Sequence, residues 1–399
     1  MPYRSIRKTF YKSELEKLYI DAQISENESL IHQIENSLLD DITSKQLCLL
    51  KNNIRTKDDI KKALMKIENQ NITNSIITCL TVENDLKLHP DIKKIIFSSE
   101  PIAFFIGTGI SNLLNIPLWG DLAKLAIEEL KKEHFLNETE ATKLKNEYLS
   151  PKQVISIFHS IYKEDKSKLK EFYHNKLSSN GMIVRNPYIL LKKLENIIPK
   201  DVIKITTNLD KEWENVLNRK NTVSDKEEKP SVENDIIPIF CNFTKGAKFE
   251  TNKLYKIHGS IDDIDNSIMT ARDYVEKYRD EKGLKGFLEE FFDKYNVIFF
   301  GTSLQEIEIL EHIIKGKEKR RKYYAIIDSN YGDDNLFRIK QNYYNDINIK
   351  SIPFYIDFQG FQRFNLVIEN WIKEIEDYLS PNFIKKAKII DEVMLDDFE

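Results

Sequence analysis

Cysteine is scarce: the 399-residue chain has three, Cys48, Cys79 and Cys241. They lie far apart, are odd in number and form no Cys-x-x-Cys pair. That argues against a disulfide framework and against a structural zinc site, and predicts reduced, buried thiols. Charge of one sign is missing too. The 60 Lys+Arg and 64 Asp+Glu leave a formal net charge of −4. No global basic field favours direct nucleic-acid binding. No run reaches the roughly 18 uninterrupted apolar residues that a membrane helix needs. The opening MPYRSIRKTFYKSELEKLY is basic but has no apolar core, so no signal peptide and no membrane attachment are expected, and a cytoplasmic location is. No internal repeat is present.

What is there is the composition of a globular chain, with 41% hydrophobic and 31% charged residues. The length suits one large domain with an appendage, or two domains. Residues 1–95 read as an N-terminal helical region. Ser13 to Ile20 and Ser25 to Leu39 carry apolar residues at three- and four-residue spacings. Thr56 is a candidate N-cap with Asp59 in the first turn, and Ile60, Leu64 and Ile67 share a face. His89-Pro90 interrupts that pattern.

Beyond residue 100 the texture changes to short apolar runs that end in small polar residues. IAFFIGTG ends at Gly107, VIKITTNLD at Asn208 and Asp210, and KLYKIHGS at His258 and Gly259. NVIFFGTSL ends at Gly301, Thr302 and Ser303, YYAIIDSN carries Asp328, and IKSIPFYID follows. Near-continuous apolar strands separated by helical segments predict an α/β, Rossmann-like, doubly wound parallel sheet. Ligands bind beyond the carboxyl ends of such strands, where these polar residues gather. Two stretches stand apart. Residues 218–235 read as an exposed loop. The basic residues 315–322 read as a solvated helix end, with a nucleic-acid or partner contact as the alternative. The final long helix, Phe361 to Leu379, aligns Phe364, Ile368, Trp371, Ile372 and Ile375 on one side.

The stretch FFIGTGISNLLNIPLW poses the functional question. Asn112 stands where a dinucleotide fingerprint has its third glycine, and no Gly-Lys-Ser/Thr follows. Gly107 and Gly109 would let backbone approach a phosphate, with Thr108 and Ser111 offering hydroxyls. A ligand-free glycine turn fits the stretch as well.

GTGISNLLNIPLW, TTNLD, KIHGSI and GTSL, in this order, resemble the motifs of the sirtuin family, and more closely the sirtuin-like domains of bacterial anti-phage defence proteins. Asn115 departs from the glycine that family has before Ile-Pro. MTARDYVEKY, from Met269, is similar to a segment of the defence-type domains. The likeness covers roughly residues 95–380 and implies a sirtuin-like NAD-binding domain over 96–399. Deacetylating sirtuins carry a four-cysteine zinc module between the His-Gly and Gly-Thr-Ser motifs, yet residues 260–300 hold no cysteine. The resemblance therefore implies NAD as substrate without a metal, and NAD hydrolysis rather than deacetylation. A protein deacylase and a non-catalytic NAD or ADP-ribose sensor are the alternatives.

Each residue then has two readings. Asn208 suits orienting a water or ribose hydroxyls, or forming a turn. His258, ordinarily titrating near ~6.5, suits a general base, or a carbonyl-bound core histidine. The resemblance makes both catalytic. Asp210 holds a ribose or caps the next helix. Gly301, Thr302 and Ser303 suit a phosphate or ribose contact, or a helix cap. Asp328 suits an adenosine ribose. Trp119 covers the nicotinamide end or packs the core. The helical N-terminal region is a candidate for homo-oligomer packing or for docking a partner, which the resemblance suggests is a HerA-like ATPase. Related chains instead carry a sensing domain or pair with an Argonaute-like protein, and the chain leaves little room for such a domain after residue 380.

Overall fold

Strand β1 (Ile102–Ile106) reads IAFFI, and every one of its side chains is buried. β2 (Val202–Thr206) and β5 (Asn296–Phe300) are buried along their whole length too. Such strands need cover on both faces, which a parallel sheet between helices supplies. The computed structural model describes residues 87–146, 149–179, 187–218, 237–239, 242–315, 321–330, 334–356 and 360–380. The helices expected in residues 1–86, all three cysteines, residues 219–235 and the basic residues 316–320 lie outside them.

The remaining strands are β3 (Ile237–Ile239), β4 (Lys253–Lys256), β6 (Tyr323–Asn330) and β7 (Ile349–Ile356). The seven-stranded sheet has the order β3-β4-β2-β1-β5-β6-β7. Each pairing from β3 across to β6 is parallel, as expected from the apolar runs. From β1 the chain adds β2, then β3 at the edge and β4 between them on one side, and at β5 it begins again on the other. β1 is therefore the topological switch point, whose carboxyl end forms a crevice in open α/β sheets.

The chain divides into two compact units. The larger takes in the described residues within 89–327, 340–352 and 375–380. On one sheet face it packs Phe105, Ile205 and Phe299 with Phe287 and Phe291 from helix Leu284–Lys294. A second core joins Leu122, Phe158 and Phe172, from helices Trp119–Lys132, Pro151–Ile161 and Lys166–Lys176, to Leu209 and Ile261. Local chemistry sets the helix starts. Ser150 and Gln153 form a capping box before Pro151, and Thr270 and Asp273 form another for helix Ala271–Arg279.

Of the described residues, the other unit comprises 87–88, 328–330, 334–339, 353–356 and 360–374. Helix Arg363–Leu379, whose residues up to Glu374 belong to this unit, buries Phe364, Ile368 and Trp371 as its spacing predicts. The Trp371 indole donates to Lys87 O at 3.2 Å, and Glu374 accepts from Leu88 N at 3.1 Å.

Two strand residues run against the apolar pattern. Lys204 is 1% exposed; it donates to Glu195 and to Thr251 O, both at 2.6 Å. Lys256, equally buried, donates to Asp210 O at 2.6 Å, to Leu209 O at 3.3 Å and to the Glu214 carboxylate. A buried ammonium is tolerated only with such partners. Lys256 thereby fixes the turn that follows β2.

Candidate active site

The site is built on four turns at the carboxyl ends of β1, β2, β4 and β5. The turns after β1 and β5 lock together. Gly107 N donates to Phe300 O at 2.9 Å, and Gly109 N donates to Gly301 O at 2.7 Å. A Cβ on Gly107 would lie 2.7 Å from Gly301 O, and one on Gly109 also 2.7 Å from it. Gly301 has φ +62°, where a Cβ would meet Ile110 N at 2.5 Å. These glycines let the two backbones touch.

Behind them lies a buried polar network. Asn208 Nδ2 donates to Gly107 O at 3.0 Å, to Ser111 Oγ at 2.9 Å and to Tyr188 OH at 2.9 Å. Ser111 in turn donates to Asp210 Oδ2 at 2.6 Å and shares a 2.7 Å bond with Tyr188 OH. A carbonyl oxygen accepts only, so Gly107 O fixes which end of the Asn208 amide is the nitrogen. The other end, Oδ1, is buried without a partner. A buried acceptor left unpaired costs about 1–3 kcal/mol. Asp210 has no such vacancy: Oδ2 takes the Ser111 hydroxyl and Oδ1 takes Glu212 N at 3.0 Å. Asp210 thus accepts from the first residue of helix Glu212–Leu217, whose N-cap position is Lys211. Burial raises its pKa, against the nearby Lys256.

His258 follows β4. It is wholly buried and sits one residue before Gly259, which has φ +100° and no room for a Cβ beside Ser267. Its Nε2 shares a 2.9 Å bond with Tyr278 OH and lies 3.3 Å from Glu306 Oε2. Its Nδ1 is buried without a partner. The ring was expected near its ordinary basicity. Burial, with Lys152 nearby, pushes its pKa down to about 3 instead. At neutral pH the ring is therefore uncharged, and the Glu306 approach is not an ion pair. Glu306 is itself pushed up to about 7 by burial and by Glu308, against Lys152.

Asn208 and His258 are brought to the same end of neighbouring strands. β2 pairs with β4 through Thr206 and Lys256, so each residue lies two positions past a paired partner. The two turns stay joined: Ile257 N donates to Thr206 O at 2.9 Å and Ile261 N to Leu209 O at 3.0 Å. Glu306 arrives from farther away. β2 and β1 separate β4 from β5. At about 4.8 Å per strand, that gap is on the order of 14 Å. The segment after Ser303 therefore crosses the carboxyl ends of both central strands to reach His258.

A cleft of ≈ 340 Å³, counted with its open mouth, lies against this assembly, lined by Thr108, Ser111, Ile116, Trp119, Thr207 and Asp210 among others. Trp119 lines it and also packs on the neighbouring core. Asn115 has φ +63°, a left-handed conformation open to glycine and tolerated by asparagine. Its replacement of a glycine is thus conservative in backbone terms. Thr302 Oγ1 accepts from Leu304 N at 3.3 Å, and Ser303 is exposed. Asp328 lies on β6 in the other compact unit.

Residues 202–352 match the family model of the SIR2-like domain. The matched segment takes in Asn208, His258, Gly301 and Glu306, while Gly107 to Ser111 precede it and join through their hydrogen bonds to Asn208 and Gly301. A SIR2-like domain implies an NAD-related site. No curated protein matches the chain. Among the described residues no cluster of His, Cys, Asp and Glu is placed to hold a metal ion, and no helix is long and apolar enough to cross a membrane.

Four contributors escaped the sequence reading. Tyr278 and Tyr274 sit in the MTARDYVEKY segment, four apart on one helix, a spacing that could have revealed them. Tyr188 and Glu306 carry no local signal.

Proposed function

We propose that the protein is an NAD hydrolase that releases nicotinamide and ADP-ribose. One observation carries the reading: two buried acceptors, Asn208 Oδ1 and His258 Nδ1, stand unpartnered at the carboxyl ends of adjacent strands in the segment that matches the SIR2-like domain. Neither is charged at neutral pH. With the ring hydrogen on Nε2 both atoms accept, and two neutral acceptors at neighbouring strand ends fit hydroxyl donors, as the two hydroxyls of a ribose are.

Breaking the nicotinamide–ribose bond asks little acid–base strength of the protein. The leaving group is already cationic, and the transition state spreads positive charge on the sugar. What the protein supplies is orientation and shelter from water. Asn208, its amide fixed by Gly107 O, holds a hydroxyl or an attacking water. His258 takes hydrogen from a second hydroxyl through a neutral ring. The segment from Gly301 to Glu306 covers both. A protein deacylase is disfavoured because residues 260–300 lack the cysteines of a zinc module.

The motif likeness supports a further reading of the chain as an NAD-depleting effector of anti-phage defence, working as a homo-oligomer or beside a HerA-like ATPase. Purified protein incubated with NAD, alone and with candidate partners, should release free nicotinamide. Consumption that strictly requires an acyl-lysine peptide would establish the deacylase instead. Tight NAD binding without product under every condition would establish a sensor.

A further inference from the structure

Nε2 of His258 faces two oxygen atoms, Tyr278 OH at 2.9 Å and Glu306 Oε2 at 3.3 Å, while Nδ1 faces no protein partner. Glu306 Oε2 is buried and makes no hydrogen bond of its own, although the side chain as a whole keeps 23% exposure. A neutral imidazole carries one hydrogen, on one nitrogen or the other. An ionised carboxylate only accepts, whereas a carboxylic acid also donates.

We propose that Glu306 is a positioning residue that selects the tautomer of His258. As a carboxylate 3.3 Å away it favours, through its charge, the hydrogen on Nε2, which leaves Nδ1 as an acceptor. As a carboxylic acid it donates to Nε2, and the ring hydrogen moves to Nδ1, where it blocks acceptance. The Nε2–H bond breaks and an Nδ1–H bond forms, an O–H bond forms on the Glu306 carboxyl, the net exchange with solvent is one proton, and the ring stays neutral.

The surroundings make both states reachable. Lys152, on helix Pro151–Ile161, acts on Glu306 and His258, donates to Glu308 at 3.1 Å and stands 3.4 Å over the Tyr274 ring. It favours the ionised carboxylate, while Glu308 and burial oppose it. Tyr274 and Tyr278, stacked at 5.8 Å and 5°, wall the ring, and burial keeps both protonated. Glu306 consequently changes state near pH 7, where His258 does not. The tautomer switch stands without the NAD-hydrolase reading; only its catalytic consequence rests on that reading.

Nitrogen-15 NMR of histidine-labelled full chain tests it, with the His258 signals identified by their loss in His258→Ala. Wild type should show the Nε2-protonated pattern at pH 8.5 and shift toward Nδ1-protonated by pH 5.5, with a midpoint near 7. In Glu306→Gln the pattern should not change across that range. A wild-type ring that keeps one tautomer throughout, or a switch that persists in Glu306→Gln, overturns the proposal. A parallel reading comes from nicotinamide release. Wild-type kcat should rise through pH 7, and Glu306→Gln should flatten that limb with KM changed less than about twofold. If the tautomer switches but NAD is never cleaved, the hydrolase reading fails and the role of Glu306 stands. If NAD is cleaved with no switch, the reverse holds.

Discussion

Gly109 donates its N–H to the carbonyl of Gly301 at 2.7 Å, and this one bond fastens the turn after β1 to the turn after β5. The two turns meet so closely that neither has space for a side chain. Gly109→Ala should therefore destabilise the protein by about 1–3 kcal/mol, as overpacking does. Gly120, in helix Trp119–Lys132, has nothing within 4 Å of its would-be Cβ, so Gly120→Ala should gain up to about 1 kcal/mol. Urea unfolding of both variants measures the contrast. Equal effects would show that the turn contact does not constrain these glycines.

Tyr188 reaches from helix Pro187–Ile197 to both Asn208 and Ser111. Tyr188→Phe removes the shared hydroxyl and leaves Asn208 Nδ2 its bonds to Gly107 O and Ser111. The fold should lose about 1 kcal/mol, the net worth of a buried hydrogen bond. Nicotinamide release should fall more than that figure implies, about tenfold in kcat, because the amide is no longer held from both sides. A kcat unchanged within twofold would remove Tyr188 from the site.

His258 and Glu306 should pull stability in opposite directions with pH. The folded state depresses the His258 pKa from 6.5 to about 3. Its stabilising share is whole above pH 6.5 and is lost as pH falls toward 3. The folded state raises Glu306 from 4.5 to about 7. That share is whole below pH 4.5 and is lost as pH rises through 7. Relative to wild type, His258→Gln should gain in urea midpoint as pH drops from 6.5 to 4, and Glu306→Gln should gain as it climbs from 5 to 8. Parallel curves for all three proteins would show that neither group is titrating as its burial requires.

Much of this was legible in the chain. The strands were, because β1, β2 and β5 are buried on both faces and must read as apolar runs. Their polar ends were legible for the same reason, since a buried run stops where the chain turns. Lys204 and Lys256 were not, because their tolerance depends on Glu195 and Glu214, which nothing local announces. The glycines were found, but nothing local announced that they meet a second glycine turn. Glu306 could not be found, because it is one of 64 acidic residues and its meaning lies in a crossing over two strands. The basicity of His258 was misjudged because burial is a tertiary property.

Quantifying nicotinamide released from NAD by the wild type, Asn208→Ala and His258→Ala, each verified as folded, tests the central claim most directly. The account predicts turnover in the wild type and a loss of at least about 100-fold in each variant, within the range of general acid–base and orienting groups. Turnover that persists in both variants would contradict it.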